Sequence, residues 1–426
     1  MPYDRPGSVA VTGMGVVTPF GIGLARLSQG LKGALPPAFL TEHPAPLSFP
    51  VVRAPLPPID LAAALAELVP GLPDAARRTR RLAHRADPTV QAVTLAALEA
   101  WAMAGLTAGP PDPERAGIVV AAQNATTGQQ YRLHEKFRNS PEWLSPAWGV
   151  GFMDSFPLGI ASEVLGLLGE GMTVGGASAS GNLALIQAAR MIRGGDADLC
   201  LVIAPPADLS PMEYQALSSL GAIGGHSFAR EPDRACRPFD RAAEGFIPGA
   251  AAAAVVLEAG EIAARRGATP RAILAGGAAA LSGNGHTVPD GAAEFRAMEL
   301  ALRRAGLEPA DVDAVSAHAT STPLGDRTEA EALDALFGPH RVAVNAPKGL
   351  LGHGLWSAGL VEAVAAILQM EEGFLHPNRN LDDPVTDRLD LVGAGPRDAA
   401  IGTMVSNSFG FGGIHTAVVI RAAIGK

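Results

Sequence analysis

The chain has 426 residues, of which 48% are hydrophobic and 18% charged, and its formal net charge is −9. This composition supplies a large core and argues against a largely disordered chain. The negative charge argues against broad affinity for nucleic acid, which needs a cationic surface. The length allows two average domains or one large duplicated one.

The sequence indicates neither a metal centre nor a membrane segment. Cys200 and Cys236 form no CxxC pair, and the ten histidines include no HExxH motif. Cys200 lies in the apolar run LCLVIA and is predicted to be a buried small hydrophobe. The N-terminal stretch SVAVTGMGVV predicts a strand and a turn, not a signal peptide. We therefore expect a cytoplasmic protein without a metal or cofactor and without membrane association.

Short apolar strands alternate with longer helical patterns along the chain, which is typical of α/β layers. The glycines at 195 and 306 are predicted to end helices. The predicted strands are residues 8–11, 116–121, 199–204, 252–257, 312–316 and 416–420. The predicted helices are residues 88–104, 182–193, 293–305 and 360–371.

One internal similarity suggests a duplicated fold. GAAAAAVVLEA at 249–259 and GGIHTAVVIRA at 412–422 share a glycine, four intervening residues, and then Ala-Val-Val and an aliphatic residue. Each would be the terminal strand of one half. We therefore predict two halves, residues 1–260 and residues 261–426.

The turn GGASASG presents Ser178 in front of a predicted helix that begins near Ser180. A helix N-terminus would lower the pKa of a cysteine thiol at this position, but a serine hydroxyl would also need a base. One alternative is a small residue in a tight turn. Another is the G-x-S-x-G elbow of a hydrolase, but Ser180 stands where the last glycine should be. The segment TGMGVVT at 12–18 lacks the third glycine of GxGxxG and is interpreted as a turn at a strand end.

Polar clusters follow in the C-terminal part of the chain. AHATSTPLGDRTEAEA places His318 directly after a strand, and Asp326 and Glu329 near the start of a helix. NAPKGLLGHGLWSAG places Lys348 and His353 in a glycine-rich loop before another helix. NSFGFGG is predicted to be a loop with free backbone N–H groups. Because α/β folds gather active sites at strand ends, these clusters predict a shared site.

Six motifs occur in the order found in β-ketoacyl-acyl-carrier-protein synthases: VAVTGMGVVTPFG, GGASASG, CRPFDRAAEGF, AHATSTPLGD, KGLLGH and NSFGFGG. The chain resembles these condensing enzymes of fatty-acid and polyketide assembly from about residue 8 to 420. The resemblance implies a thiolase fold, a duplicated five-layered α-β-α-β-α arrangement, and a homodimer. It also implies a ketosynthase-like acyltransferase that takes an acyl group from an acyl carrier protein onto residue 178. A malonyl unit then loses carbon dioxide, and its enolate attacks that acyl group.

The resemblance also implies roles for individual residues. His318 and His353 match the two catalytic histidines, whose neutral rings can donate hydrogen bonds to the malonyl thioester oxygen as enolate charge develops. Lys348 matches the lysine that tunes this site, and Glu329 matches its expected salt-bridge partner. Asp326, on the same helix start, is expected to support the site.

The N–H groups of Ser178 and Phe411 match an oxyanion hole in this resemblance. Phe411 also matches the family's gating aromatic residue, and Phe409 and Gly412 in the same motif are expected to support it. The run RRTRRLAHR matches the region that meets the carrier; a solvated charged helix is the alternative. The arginines expected to dock the carrier are Arg77, Arg78, Arg80 and Arg81.

Ser178 stands at the position of the family's cysteine. A serine ester is less electrophilic than a thioester, so condensation should suffer more than acyl loading. Two explanations remain open: a laboratory replacement made to trap a bound acyl chain, or a natural residue of a specialised acyltransferase, cyclase or hydrolase. A non-catalytic subunit of the chain-length-factor type is a further alternative, which the retained His318, His353 and Lys348 argue against.

Other departures from the family pattern favour specialisation. They make the acyl substrate an open question. They are Ala319 for a glycine, Ala250 for an acidic residue, Ile414 and His415 for Thr-Asn, and the unusual segment 148–160.

Overall fold

The structure, a computed structural model, describes residues 7–285, 287–340 and 342–423, and its central feature is a mixed sheet of twelve strands. Within these residues the strands are β1 (Val9–Thr18), β2 (Gly21–Ile22), β3 (Leu40–Glu42), β4 (Val51–Arg53), β5 (Ala116–Ala121), β6 (Gly171–Val174), β7 (Leu199–Ala204), β8 (Ala252–Ala259), β9 (Ala272–Leu281), β10 (Ala314–Ser316), β11 (Ala343–Asn345), β12 (Phe374–Leu375), β13 (Asp390–Leu391), β14 (Arg397–Asp398), β15 (Thr403–Gly410) and β16 (Ile414–Ala422). The α-helices are α1 (Leu24–Leu31), α2 (Leu61–Leu68), α3 (Pro73–Ala83), α4 (Pro88–Met103), α5 (Thr127–Asn139), α6 (Trp148–Gly151), α7 (Phe156–Leu165), α8 (Ser180–Gly194), α9 (Pro211–Ser219), α10 (Gly260–Arg265), α11 (Gly291–Ala305), α12 (Pro323–Phe337), α13 (Lys348–Leu351) and α14 (Ala358–Glu372).

The sheet consists of two parts that repeat the same strand order and directions. In the first part β8 is antiparallel to both β1 and β7, and β5 and β6 follow parallel to β7. In the second part β16 is antiparallel to both β9 and β15, and β10 and β11 follow parallel to β15. The parts meet where β1 pairs with β9. This repetition confirms the predicted duplicated α/β arrangement.

Three hydrophobic clusters fill the spaces between five layers. The central cluster packs Leu185 of α8 and Leu360 of α14 between the two parts of the sheet. A second cluster, with Trp101 of α4, covers the outer face of the first part. The third, with Met298 of α11 and Leu333 of α12, covers the outer face of the second part. The five-layered α-β-α-β-α prediction is therefore confirmed.

The predicted turn at residues 12–18 is wrong, because this segment continues β1 to Thr18. Its glycines serve close packing instead. A Cβ at Gly13 would lie 2.0 Å from the Ala100 carbonyl oxygen, and one at Gly15 would lie 2.1 Å from that of Ala96. Side chains at these two positions would push α4 off the sheet.

The predicted loop NSFGFGG is wrong over its first four residues. Residues 407–410 continue β15 and pair with residues 414–417 of β16, so their backbone groups belong to the sheet. Only residues 411–413 form the turn between these strands.

The predictions for two strands, for Cys200 and for two helix ends are confirmed. The strands predicted at 116–121 and 199–204 match β5 and β7 at both ends, and Cys200 is fully buried. Gly195 and Gly306 end α8 and α11 in the left-handed conformation, with φ of 82° and 68°. None of the helices in the described ranges is long and apolar enough to span a membrane.

Candidate active site

Ser178 lies in a single helical turn (Ala177–Ala179) that leads directly into α8. Ala177 adopts a positive φ of 50°, which is unfavourable for a residue with a side chain. Its N–H donates to Gln123 Oε1 at 2.9 Å. The Ser180 hydroxyl closes the turn, accepting from Gly176 N at 2.9 Å and donating to Ala177 O at 2.7 Å. These bonds hold Ser178 at the N-terminal end of α8.

His353 contacts the Ser178 hydroxyl directly, with its Nε2 2.8 Å from Ser178 Oγ. The other ring nitrogen, Nδ1, accepts from Leu355 N at 3.4 Å. Because the neutral ring carries one hydrogen, we assign that hydrogen to Nε2 from these partners. Burial, and secondarily Lys348, holds the pKa of His353 well below its ordinary value. The neutral ring therefore donates to Ser178 and does not act as its base.

His318 follows β10 and faces His353, with ring centroids 5.5 Å apart. Lys348 Nζ lies 3.4 Å from His318 Nδ1, which makes Nδ1 an acceptor and leaves the hydrogen on Nε2. Burial, followed by the charge of Lys348, lowers the pKa of His318 well below its ordinary value. The site thus contains two neutral imidazoles, each with a donor at Nε2.

The salt-bridge partner of Lys348 is Glu362, and the prediction of Glu329 is wrong. The ammonium group is buried and contacts both the Glu362 carboxylate of α14 and the carbonyl oxygen of His318. The Glu329 carboxylate has other partners: it accepts from His318 N at 2.9 Å, Ala319 N at 2.7 Å and the Asn407 amide at 3.0 Å. Glu329 therefore fixes the backbone that carries His318.

Asp326 has a similar structural position. Its carboxylate accepts from Phe239 N at 2.8 Å and from Thr322 N at 3.2 Å, which ties two loops together beneath the cavity. Burial raises its pKa to about 7, against the lowering effect of these hydrogen bonds.

A cavity of about 410 Å³ connects these groups, and Ser178, His318 and His353 all line it. Phe409 is buried in its wall with its ring centroid 5.4 Å from that of His318. Phe411, in the turn after β15, is exposed at the rim. Gly412 in the same turn has a φ of 91°.

The turn that carries Phe411 packs closely on the turn that carries Ser178. A Cβ at Gly410 would lie 2.2 Å from Gly176 O and 3.2 Å from Ala179 N. This contact brings β15 and the start of α8 to the same wall of the cavity. The oxyanion-hole role of the Ser178 and Phe411 N–H groups stays a prediction.

Two residues of the cavity wall, His415 and Glu294, were not predicted from the sequence to belong to the site. His415 lies past Phe409, with ring centroids 5.2 Å apart, and neither of its ring nitrogens has a hydrogen-bond partner among the described residues. Glu294 of α11 is buried, and burial raises its pKa to about 10, so its carboxyl group is protonated at neutral pH. The departure from Thr-Asn pointed to His415, but no sequence signal pointed to Glu294.

The predicted docking arginines lie on α3, and the lining of the cavity described above includes none of them. Arg77 pairs with Asp74 at 2.9 Å, and Arg81 pairs with Glu163. Arg78 donates to the Glu163 carbonyl oxygen at 3.2 Å. All four predicted arginines, Arg80 included, are exposed.

The described residues include no group of three His, Cys, Asp or Glu side chains arranged to hold a metal ion. The site brings the directed hydrogen-bond donors of His318 and His353 beside the buried ammonium group of Lys348. Such donors stabilise negative charge that develops on a carbonyl oxygen.

The fold and the site define a thiolase-fold enzyme of the acyl-transferring and condensing class. The chain belongs to the β-ketoacyl synthase family: residues 7–263 match the model described as Beta-ketoacyl synthase, N-terminal domain, and residues 271–382 match the C-terminal domain. The predicted family and thiolase fold are confirmed.

Relatives of this chain include both decarboxylating and condensing enzymes. It is 39% identical over 345 residues, 81% of this chain and 82% of the relative, to the polyketide biosynthesis malonyl-ACP decarboxylase PksF of Bacillus subtilis (strain 168). It is 31% identical over 423 residues, 97% and 98% of the two chains, to 3-oxoacyl-[acyl-carrier-protein] synthase 2 of Coxiella burnetii (strain RSA 493 / Nine Mile phase I). A similar solved structure, AntDE:AntF, is a type II PKS acyl-carrier protein in complex with its ketosynthase (TM-score 0.81, 26% identity, 98% and 100% coverage).

Proposed function

We propose that this protein removes carbon dioxide from a malonyl group held as a thioester on an acyl carrier protein, and releases the acetyl thioester without condensation. The observation that carries this proposal is the hydrogen bond from His353 Nε2 to Ser178 Oγ. His353 therefore donates a hydrogen bond to Ser178 Oγ, whereas a serine nucleophile would need a base that accepts its proton. The similarity to a malonyl-ACP decarboxylase supports the same reaction.

The geometry supports the decarboxylation step. The thioester oxygen replaces Ser178 Oγ as the acceptor of the His353 Nε2 hydrogen and also accepts from His318 Nε2. The bond between the α-carbon and the carboxylate breaks, its electron pair enters the enolate, and carbon dioxide leaves. The two donors and the nearby Lys348 charge stabilise the enolate oxygen as it becomes negative.

Condensation requires a further group that this site does not supply. Among the described residues, His353 is the only side chain with a hydrogen bond to Ser178 Oγ. Of the two explanations for the serine, we therefore propose the natural one, a specialised enzyme. Acyl transfer onto Ser178 is the second candidate, which the position of Ser178 at the N-terminus of α8 favours.

We also propose the partner, assembly and location that the resemblance implied. The partner is an acyl carrier protein, docked at Arg77, Arg78, Arg80 and Arg81. The solved complex of a related ketosynthase with its carrier supports that partner. A homodimer in the cytoplasm is the proposed assembly and location.

The test is incubation with malonyl-carrier protein, followed by intact mass measurement of both proteins. We expect acetyl-carrier protein to form while the enzyme keeps its mass. The variant H353A should lose the activity. A stable acyl adduct on the enzyme that disappears in S178A would support acyl transfer instead, and unchanged malonyl-carrier would overturn the proposed decarboxylase.

A further inference from the structure

A decarboxylase needs one group that a condensing enzyme does not. In condensation the enolate carbon forms a bond to an acyl group. Without an acyl group, that carbon must take a proton to give the acetyl thioester. The proposed function, on which this inference rests, therefore requires a proton donor beside the enolate.

Several polar groups around the cavity are already engaged in other interactions or shielded from His318. In the proposed reaction the His318 and His353 N–H groups donate to the enolate oxygen. The hydroxyls of Thr320 and Thr322 bond to each other at 3.0 Å. His415 is separated from His318 by the Phe409 ring.

Ser178 differs from these groups in both position and hydrogen bonding. Its oxygen accepts the hydrogen of His353 Nε2 at 2.8 Å, and its own hydrogen has no acceptor among the described residues. A thioester oxygen that replaces Ser178 Oγ on the His353 Nε2 hydrogen brings its α-carbon, two bonds away, to the same side of the ring. The free O–H of Ser178 is then the side-chain donor nearest to that carbon.

We propose that Ser178 is the catalytic acid that protonates the α-carbon of the enolate after carbon dioxide has left. The Oγ–H bond breaks as the C–H bond forms, and the enolate electrons return to the C=O group. Water entering from the open rim returns a proton to Oγ. The balance is malonyl thioester and water giving acetyl thioester and bicarbonate, with no oxidant or reductant.

The test compares two fates of the enolate: protonation to the acetyl thioester, and recombination with carbon dioxide to re-form the malonyl thioester. Malonyl-carrier protein is incubated with the enzyme and 13C-bicarbonate. Mass spectrometry then records acetyl-carrier formation and 13C in the remaining malonyl-carrier. The ratio of the two is independent of how fast the first bond breaks.

With the wild-type enzyme we expect acetyl-carrier to form and little 13C to be incorporated into the remaining malonyl-carrier. In S178A only water donates, so the ratio of 13C return to acetyl formation should rise by about tenfold or more, since a positioned acid contributes about 10²–10⁴-fold. S178C keeps a donor at the same place and should restore the low ratio at early times.

The other possible outcomes contradict either the acid role of Ser178 or the proposed decarboxylase activity. An unchanged ratio in S178A, with normal acetyl formation, overturns the acid role and leaves the decarboxylase standing. Loss of both products in S178A also overturns it, because Ser178 would then act before carbon dioxide leaves. A wild-type enzyme that forms no acetyl-carrier overturns the proposed function itself.

Discussion

Two groups of buried polar residues beside the cavity differ in how their charges are balanced. On the His318 side, Lys348 has a carboxylate partner in Glu362. Elsewhere in the lining of the same cavity, Glu294 and His415 are buried, and burial lowers the pKa of His415 and raises that of Glu294. Lys348 and Glu362 stay charged although they are buried, because they form an ion pair. Glu294 and His415 are instead neutral in their buried positions.

The largest expected effect comes from breaking the paired region. The variant E362A leaves the Lys348 ammonium buried without its carboxylate, so the free energy of unfolding should fall by about 3–5 kcal/mol. Chemical denaturation measures this. The matched control is E372A on the same helix, which removes an exposed pair with Lys32 and should cost less than about 1 kcal/mol. Equal losses in both variants would contradict the importance of burial.

Removal of one enolate donor is the next test. The variant H318A should lower kcat for malonyl-carrier decarboxylation by about 10²–10³-fold, because a directed donor to a developing oxyanion is lost. H43A, at an exposed histidine outside the cavity, is the control. A rate within a factor of about three of wild type in H318A would remove His318 from the mechanism.

The neutral region gives a stability effect that grows with pH. The pKa of Glu294 is about 10 in the folded protein, so between its ordinary value of 4.5 and 10 only the folded state holds this proton. Because of this group, wild-type stability therefore falls as the pH rises through this range. The variant E294Q should remove that slope, so its Tm should exceed that of wild type more at pH 8.5 than at pH 5.

The exposed Glu299 on the same helix provides the control for that experiment. The variant E299Q should follow wild type at every pH. An E294Q curve parallel to wild type would show that Glu294 is ionised in the folded protein.

Surface charges should give a smaller effect. Reversal of Arg77, Arg78, Arg80 and Arg81 to glutamate should raise KM for malonyl-carrier, most at low salt, and leave kcat unchanged. Steady-state kinetics with carrier and with a small malonyl thioester separates docking from catalysis. An unchanged KM for the carrier would remove α3 from the docking surface.

The smallest expected effect is a rate that does not change. Because the pKa values of His318 and His353 lie well below 6.5, both rings stay neutral through that pH. The kcat should therefore stay flat from pH 7.5 to about 6, within the usual titration range of histidine. A midpoint near 6.5 would place a charged ring in the site.

The sequence predicts best where one physical cause dominates. The continuous apolar runs at 116–121 and 199–204 can only be buried strands here, and both bounds are right. The glycines of β1 were misinterpreted because close helix packing and a turn need the same residue. Glu362 was missed although a lone acid in the apolar run LVEAVAAIL is a signal for a buried pair. The division at 260 and 261 stays a prediction.

The contact between Gly410 and Gly176 has a mechanical consequence. Two backbone segments in direct contact, with no side chain between them, move together. A shift of the Phe411 turn is therefore transmitted to the turn that carries Ser178. A side chain at Gly410 would therefore act as a wedge that alters the spacing between the rim and the reaction centre.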